Sequence, residues 1–276
     1  MNIKLIAMDL DGTALQADRC SFSPRLNAAL DAAFEQGVAV VPVTGRQYDL
    51  LPPAVLGHPK WSGLCVLCNG GQIRELETGQ LLYGLYIPKT ALLQLQDLAA
   101  RLDIPLEFSR NGRLHLTKES YYAQLPHSNL TFHVHTILAK SGVIVDSLLP
   151  LCEEGIIEKA QLPHIPGHLH REVEEALKTI DVSAVWSSGS SMEITHSRAT
   201  KGNAIDQLSR LLDIPVENIL ALGDSGNDET MLRRAGLGVA MGNAPDFVKA
   251  AADAVTDTNA NDGAAVAIEH FVLHLN

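Results

Sequence analysis

Residues Ile3 to Met8 form an almost unbroken apolar run, the pattern of a strand covered on both faces within a parallel sheet. Ser23-Pro24 then reads as a helix start, with serine as N-cap and proline at the first helical position, and Gly37 closes that helix. Val38 to Val43 predicts a second buried strand, running out at Thr44-Gly45-Arg46. Leu64 to Leu67 predicts a third, ending near Asn69-Gly70-Gly71. The last third of the chain repeats this alternation. Lys201 to Leu212 has the spacing of an amphipathic helix, Ile219 to Leu222 reads as a strand ending at Gly223-Asp224, and Asp228 to Arg234 as a short helix before Gly236. Further strands are expected near Gly238 to Met241 and Ala254 to Thr256. Strand–helix alternation at both ends predicts an α/β fold, a three-layer core around a parallel central sheet.

The middle of the chain has a different pattern. From about Tyr83 to Trp186 polar alternation appears, as in Leu106-Glu107-Phe108-Ser109 and Arg113-Leu114-His115-Leu116, with helices such as Leu92 to Leu102 between. Half-solvated strands with helices on one side suggest an inserted α+β module. The expected division is a discontinuous core of residues 1–82 and 189–276, with 83–188 inserted as a cap, and hinges near Gly84 and Ser187-Ser188-Gly189.

Composition narrows the partners. The 276 residues are 46% hydrophobic and 19% charged, ordinary for a globular chain with a sizeable core. Lys and Arg number 21 against 32 Asp and Glu, for a net charge of −11. That balance argues against nucleic acid or an anionic membrane surface as the main partner, since both require clustered positive charge. No apolar stretch reaches the roughly 20 residues needed to span a bilayer, and the N-terminus has no signal-peptide design. The pair Cys65-Val66-Leu67-Cys68 lies in an apolar run rather than at a helix start, so inert thiols of a reducing, cytoplasmic setting are the expectation.

Candidate chemistry sits at the ends of the expected strands, where ligands bind in parallel α/β sheets. Asp9 and Asp11 in Asp9-Leu10-Asp11-Gly12-Thr13 are two apart, so on an extended backbone their carboxylates point the same way. Such a pair repels unless a hard cation neutralises it or one carboxyl stays protonated, and either state suits a nucleophile beside an acid–base partner. A simple Asp-Gly turn is the plain alternative. Thr44 and Gly45 offer a hydroxyl and backbone N–H groups to a phosphate oxygen, with Arg46 as substrate contact or structural cation. Lys201 opens a helix after Thr200; alone, it would be read as a solvated lysine. Gly223-Asp224-Ser225-Gly226-Asn227-Asp228 suits an oxygen-ligated cation, with Asp224 as ligand and Asn227 and Asp228 as orienting groups or helix caps.

Together and in this order, these four segments resemble the motifs of the haloacid dehalogenase superfamily. More narrowly, the chain resembles its Cof-like sugar-phosphatase branch, with Asn69-Gly70-Gly71 and Val239-Ala240-Met241-Gly242-Asn243-Ala244 as further echoes. The match covers the two outer thirds, and the middle matches by position and length as a large α+β cap. The chain departs from the usual pattern at Ala14-Leu15 and at His196-Ser197-Arg198-Ala199-Thr200, which bears on loop shape near Arg198. The resemblance implies a Rossmann-like core and a phosphatase acting on small phosphorylated metabolites, sugar phosphates above all. It implies that Asp9 is the nucleophile that forms an aspartyl-phosphate and that Asp11 is acid, then base. Thr44, Gly45, Lys201 and Asn227 would bind the phosphoryl group. Mg²⁺ would be held by Asp9, the Asp11 backbone carbonyl and Asp224, with Asp228 in support.

Two other readings stand beside it: a phosphomutase using the same intermediate, and a phosphate-ligand sensor on a retired scaffold, against which the intact Asp9, Asp11, Lys201 and Asp224 argue. The oligomeric expectation extends no further than a monomer or weak dimer. The groups His133-Val134-His135 and His164, His168, His170 bring transition metals to mind. Pro166-Gly167 interrupts helical pairing of His164 with His168 and no Cys joins either group, so surface or cap histidines are the expectation.

Overall fold

The structure is a computed structural model and describes residues 2–58, 63–126, 140 and 142–275. His133 and His135 lie outside the described residues. The chain divides into two compact units. The first holds the segments up to Thr44, Leu51–Tyr83 and from Thr200 onward; the second holds Gly45–Leu50 and Gly84–Ala199.

The chain begins with β1 (Leu5–Met8), β2 (Ala39–Pro42), β3 (Leu64–Leu67), β4 (Gln72–Glu75) and β5 (Leu81–Gly84). It then passes through β6 (Glu107–Arg110), β7 (Arg113–Thr117), β8 (Gly142–Val145), β9 (Lys159–Leu162), β10 (Val182–Ser188) and β11 (Ser191–His196). Finally β12 (Ile219–Gly223), β13 (Leu237–Ala240) and β14 (Ala254–Val255) return to the first unit.

The first unit is built on a five-stranded sheet in the order β14-β13-β12-β1-β2, parallel throughout. Every residue of β1 is fully buried, which is why its sequence carries no alternation. At roughly 1.5–3 kcal/mol for each large apolar side chain buried, Leu5, Ile6 and Met8 hold this strand firmly in register. The helix Pro24–Glu35 joins β1 to β2 and starts as its sequence indicates, the Ser23 hydroxyl accepting from Leu26 N–H at 3.0 Å. It packs beside Gly263–Phe271, as Lys201–Leu212 packs beside Glu229–Arg234. The third expected strand is present as β3, but it heads a separate three-stranded sheet, β3-β4-β5, in which β3 and β4 are antiparallel; a single parallel bridge, Val43 to Val66, ties it to the chain beyond β2.

The second unit has a six-stranded sheet in the order β10-β11-β9-β6-β7-β8, antiparallel except for β7 and β8. One face of β6, β9 and β11 supplies Phe108, Ala160, Leu162, Met192 and Ile194 to a core shared with the helix Lys89–Leu102. The polar positions of β6 are not solvated as the alternation suggests: Glu107 and Ser109 are both buried. Gln124, at the end of a nearby helix, meets this need, its Nε2 donating to Glu107 Oε1 at 2.9 Å. The expected boundary at 188/189 falls inside the hairpin of β10 and β11, with Gly189 in its turn, and the second unit runs on to Ala199. An α/β core on a parallel sheet with a separate α+β unit is thus the architecture.

Candidate active site

From β1 the chain moves to β2 on one side, whereas β12 leads to β13 and β14 on the other. The strand order therefore reverses between β1 and β12, the place where a parallel sheet opens a crevice at its carboxyl ends. Asp9 and Asp224 stand at those two ends. Asp9 follows Met8 and donates its N–H to Leu222 O at 2.9 Å, while Asp224 follows Gly223.

Lys201 is the first residue of the helix Lys201–Leu212, whose N-cap Thr200 accepts from Asn203 N–H at 3.1 Å. Its side chain is not solvated: Lys201 is 1% exposed. Nζ donates to Asp9 Oδ1 and to Asp228 Oδ1, each at 2.5 Å. Burial alone would make this ammonium more acidic, but the two carboxylates override it and its pKa is raised. Burial and the neighbouring Asp228 and Asp224 push Asp9 up, against the pull of Lys201. The other Asp9 oxygen, Oδ2, accepts no hydrogen bond among the described residues.

Asp228 is fully committed. Oδ2 accepts from the N–H groups of Asp224 and Ser225 at 3.0 and 2.9 Å and from Ser225 Oγ at 3.2 Å. It thus shapes the loop that presents Asp224. Asp224 Oδ1 accepts from Thr13 Oγ1 at 2.9 Å, and its pKa is raised to about 6, chiefly by burial and then by Asp228. The loop carrying Thr13 is not a continuation of β1. The strand stops at Met8, and residues Leu10–Ala14 wind into a tight turn in which Gly12 has φ +85°. Asp9 and Asp11 therefore do not lie on one extended strand, as their spacing suggested. Gly12 also passes so close to the Asp224 carboxylate that a Cβ would lie 2.8 Å from its Cγ, which requires glycine here on two counts.

Asp9, Asp224 and Asp228 each offer an oxygen, and these atoms lie within 4.8 Å of one another. Three carboxylates against one ammonium leave an excess of negative charge, and all-oxygen donors suit a hard cation. Asp228 is fully buried, with its oxygens accepting from Lys201 and from the Asp224 and Ser225 N–H groups, which favours Asp9 and Asp224 as the ligands and Asp228 as their support. The residues present fit Mg²⁺. Among the described residues no other such group of His, Cys, Asp or Glu occurs, His164, His168 and His170 included.

Of the residues singled out in the sequence, Asp9, Lys201, Asp224 and Asp228 are brought into one network. Asn227 reaches it through Ser225, whose Oγ donates to Asn227 Oδ1 at 2.6 Å and whose N–H donates to Asp228 Oδ2, while Asn227 Nδ2 donates to Asn69 Oδ1 at 2.9 Å. Thr44 follows Val43, whose N–H donates to Met8 O, so Thr44 stands beside Asp9 at the sheet edge. Gly45 falls in the second unit, where its carbonyl accepts from Lys159 Nζ at 2.9 Å. Arg46 donates to Leu50 O at 3.1 Å, a local contact. Cys65 and Cys68 are buried, and burial pushes the Cys65 thiol up, so no reactive pair exists there. Sequence reasoning missed Asn259, whose Nδ2 donates to Thr13 O at 2.7 Å and Leu15 O at 3.0 Å, and gave no role to Asn243, which donates to Gly12 O at 3.0 Å. The Met241-Gly242-Asn243 echo was a signal for the second; nothing local marks the first.

Comparison with known proteins agrees with this geometry. The family model of the haloacid dehalogenase-like hydrolases matches residues 6–268. The 5-amino-6-(5-phospho-D-ribitylamino)uracil phosphatase YcsE of Bacillus subtilis (strain 168) is 31% identical over 275 residues, covering 99% of this chain and 97% of the relative. The pyridoxal phosphate phosphatase YbhA of Escherichia coli (strain K12) is 29% identical over 281 residues, covering 96% and 97%. A solved haloacid dehalogenase-like hydrolase from B. subtilis superposes with a TM-score of 0.81 at 28% identity, covering 97% of this chain and 99% of that one. The chain belongs to the haloacid dehalogenase-like hydrolase family, in its Cof-like phosphatase branch.

Proposed function

We propose that this chain is a magnesium-dependent phosphatase that hydrolyses small phosphorylated metabolites, sugar phosphates foremost, through an aspartyl-phosphate on Asp9. The observation that carries the reading is the asymmetric setting of Asp9. One oxygen is held by Lys201 at 2.5 Å and the other accepts no hydrogen bond among the described residues. A carboxylate oriented through one oxygen leaves the second to act as nucleophile.

In this reading Asp9 Oδ2 attacks phosphorus and the ester P–O bond breaks. The Asp11 carboxyl gives its proton to the departing oxygen, releasing the alcohol. Asp11, now a carboxylate, takes a proton from water as the water oxygen attacks the phosphoryl group, and the P–O bond to Asp9 breaks to release inorganic phosphate. Thr44, Lys201 and Asn227 hold the phosphoryl oxygens. The side chains of Asp9 and Asp224 and the carbonyl of Asp11 would hold Mg²⁺, which when bound would supply the positive charge that lets a carboxylate approach a phosphate dianion.

The names of YcsE and YbhA, with 5-amino-6-(5-phospho-D-ribitylamino)uracil and pyridoxal phosphate, support a small phosphorylated metabolite as substrate. The test is release of inorganic phosphate from a panel of phosphorylated metabolites, with and without chelator. Release that stops in excess EDTA and returns with Mg²⁺ is expected. Undiminished release in EDTA would remove the metal from the reaction, and an isomeric phosphate formed without net release would identify a mutase instead.

A further inference from the structure

The turn Cys68–Gly70 touches three elements of the phosphate site yet has no part in the reaction above. All three of its residues have left-handed backbones, with φ of 52°, 56° and 97°. Such a run is costly at Cys68 and tolerated by Asn and Gly, so the surroundings must hold it in place. The Asn69 N–H donates to Thr44 O at 3.1 Å. Asn69 Oδ1 accepts from Asn227 Nδ2 at 2.9 Å. Gly70 lies against Thr200, and a Cβ there would overlap the Thr200 carbonyl and approach Lys201 N to 3.2 Å.

We propose that Asn69 is a positioning residue that fixes the side-chain amide of Asn227, so that an N–H and not the carbonyl oxygen is offered to a phosphoryl oxygen. The inference rests on the reading of Asn227 as a phosphate ligand. Asn227 Oδ1 accepts from Ser225 Oγ at 2.6 Å, but the same hydroxyl lies 3.2 Å from Asp228 Oδ2. A serine hydroxyl has one proton and two lone pairs. It can donate to Asp228 and accept from a reversed Asn227 amide equally well, so Ser225 does not choose between the two orientations. Asn69 Oδ1 accepts only a donor, and so selects Nδ2. That nitrogen carries two hydrogens, of which Asn69 takes one. A reversed amide would turn its negative end toward an anion and weaken binding where the intact one strengthens it.

The test is a double-mutant cycle on p-nitrophenyl phosphate hydrolysis. Glycine adopts a φ of +56° freely, so Asn69→Gly keeps the turn and removes only the side chain. Asn69→Gly and Asn227→Ala are each expected to raise KM by about tenfold, the size of one hydrogen bond to a charged group, with kcat changed much less. The double variant is expected to match either single one, because Asn69 acts through Asn227. An unchanged KM in Asn69→Gly, or two losses that multiply in the double variant, overturns the proposal. Should Asn69→Gly not fold, the wild-type protein decides by NMR. The Asn227 amide proton pair, identified by its disappearance in Asn227→Ala, should show one proton shifting on addition of inorganic phosphate while the other stays. Both shifting alike, or neither shifting, overturns it. A wild-type protein that does not hydrolyse the ester at all would instead sink the phosphatase reading itself.

Discussion

Lys201 in the first unit and Lys159 in the second are both almost completely buried, at 1% and 2% exposure, but their surroundings differ. Lys159 Nζ donates to Glu193 Oε1 at 2.8 Å and to the carbonyl of Gly45 at 2.9 Å. Lys201 meets two carboxylates, with Asp224 close by as a third. The pairing of Lys159 with Glu193 sets one cation against one carboxylate. At Lys201 the carboxylates exceed the cation, and Asp224 beside them has its pKa raised to about 6, first by burial and then by the charge of Asp228. Burial of a lysine alone does not mark a reactive site; an unbalanced excess of carboxylates around it does.

The largest effect that would sharpen this contrast is expected at Asp9. Asp9→Asn removes the nucleophile while keeping its shape, and kcat for p-nitrophenyl phosphate should fall by about 10⁴-fold or more. Near-normal turnover would reject Asp9 as the attacking group. Lys201→Met comes next, because it leaves Asp9 and Asp228 facing each other in a buried space. Activity should be lost together with about 3–5 kcal/mol of stability, read by urea unfolding. Lys159→Met leaves Glu193, part-exposed at 15% of its side chain, without this cation, so its loss should be smaller, about 1–3 kcal/mol. Equal losses at the two lysines would erase the distinction.

A smaller effect follows from Asp224. Its carboxyl is protonated up to about pH 6 in the folded chain, against an ordinary value of 3.8. A raised carboxyl pKa favours the fold fully at low pH, and that contribution fades as pH rises through about 6. A divalent cation binds the ionised form, so it should restore what deprotonation removes. The increase in Tm on adding Mg²⁺ should therefore be clear at pH 7.5 and vanish toward pH 5. A Tm increase of the same size at both values would show that Asp224 is not a ligand.

Much of this was legible in the chain. The apolar runs of β1 and β12 and the capped helices at Ser23 and Thr200 follow local rules, and Asp9, Lys201, Asp224 and Asp228 stand at their ends. What escaped depends on distant partners. Asn259 holds Thr13 from 246 positions away, and no local pattern announces that bond. Glu107 looked solvated because alternation cannot reveal that Gln124 would cover it. The spacing of Asp9 and Asp11 was read on an extended backbone, whereas the chain coils at Leu10–Ala14 so that Gly12 can pass Asp224.

The claim at the centre is that Asp9 carries the phosphoryl group and Asp11 activates the water that removes it. p-Nitrophenol leaves without help from an acid, so Asp11→Asn should still be phosphorylated by p-nitrophenyl phosphate but should fail to turn over. Mixed with excess ester and Mg²⁺, this variant should release close to one equivalent of p-nitrophenol in a burst. Peptide mapping of the acid-quenched protein should then find the phosphoryl group on Asp9. The absence of a burst with unmodified protein, or a phosphoryl group on any other residue, would contradict the account.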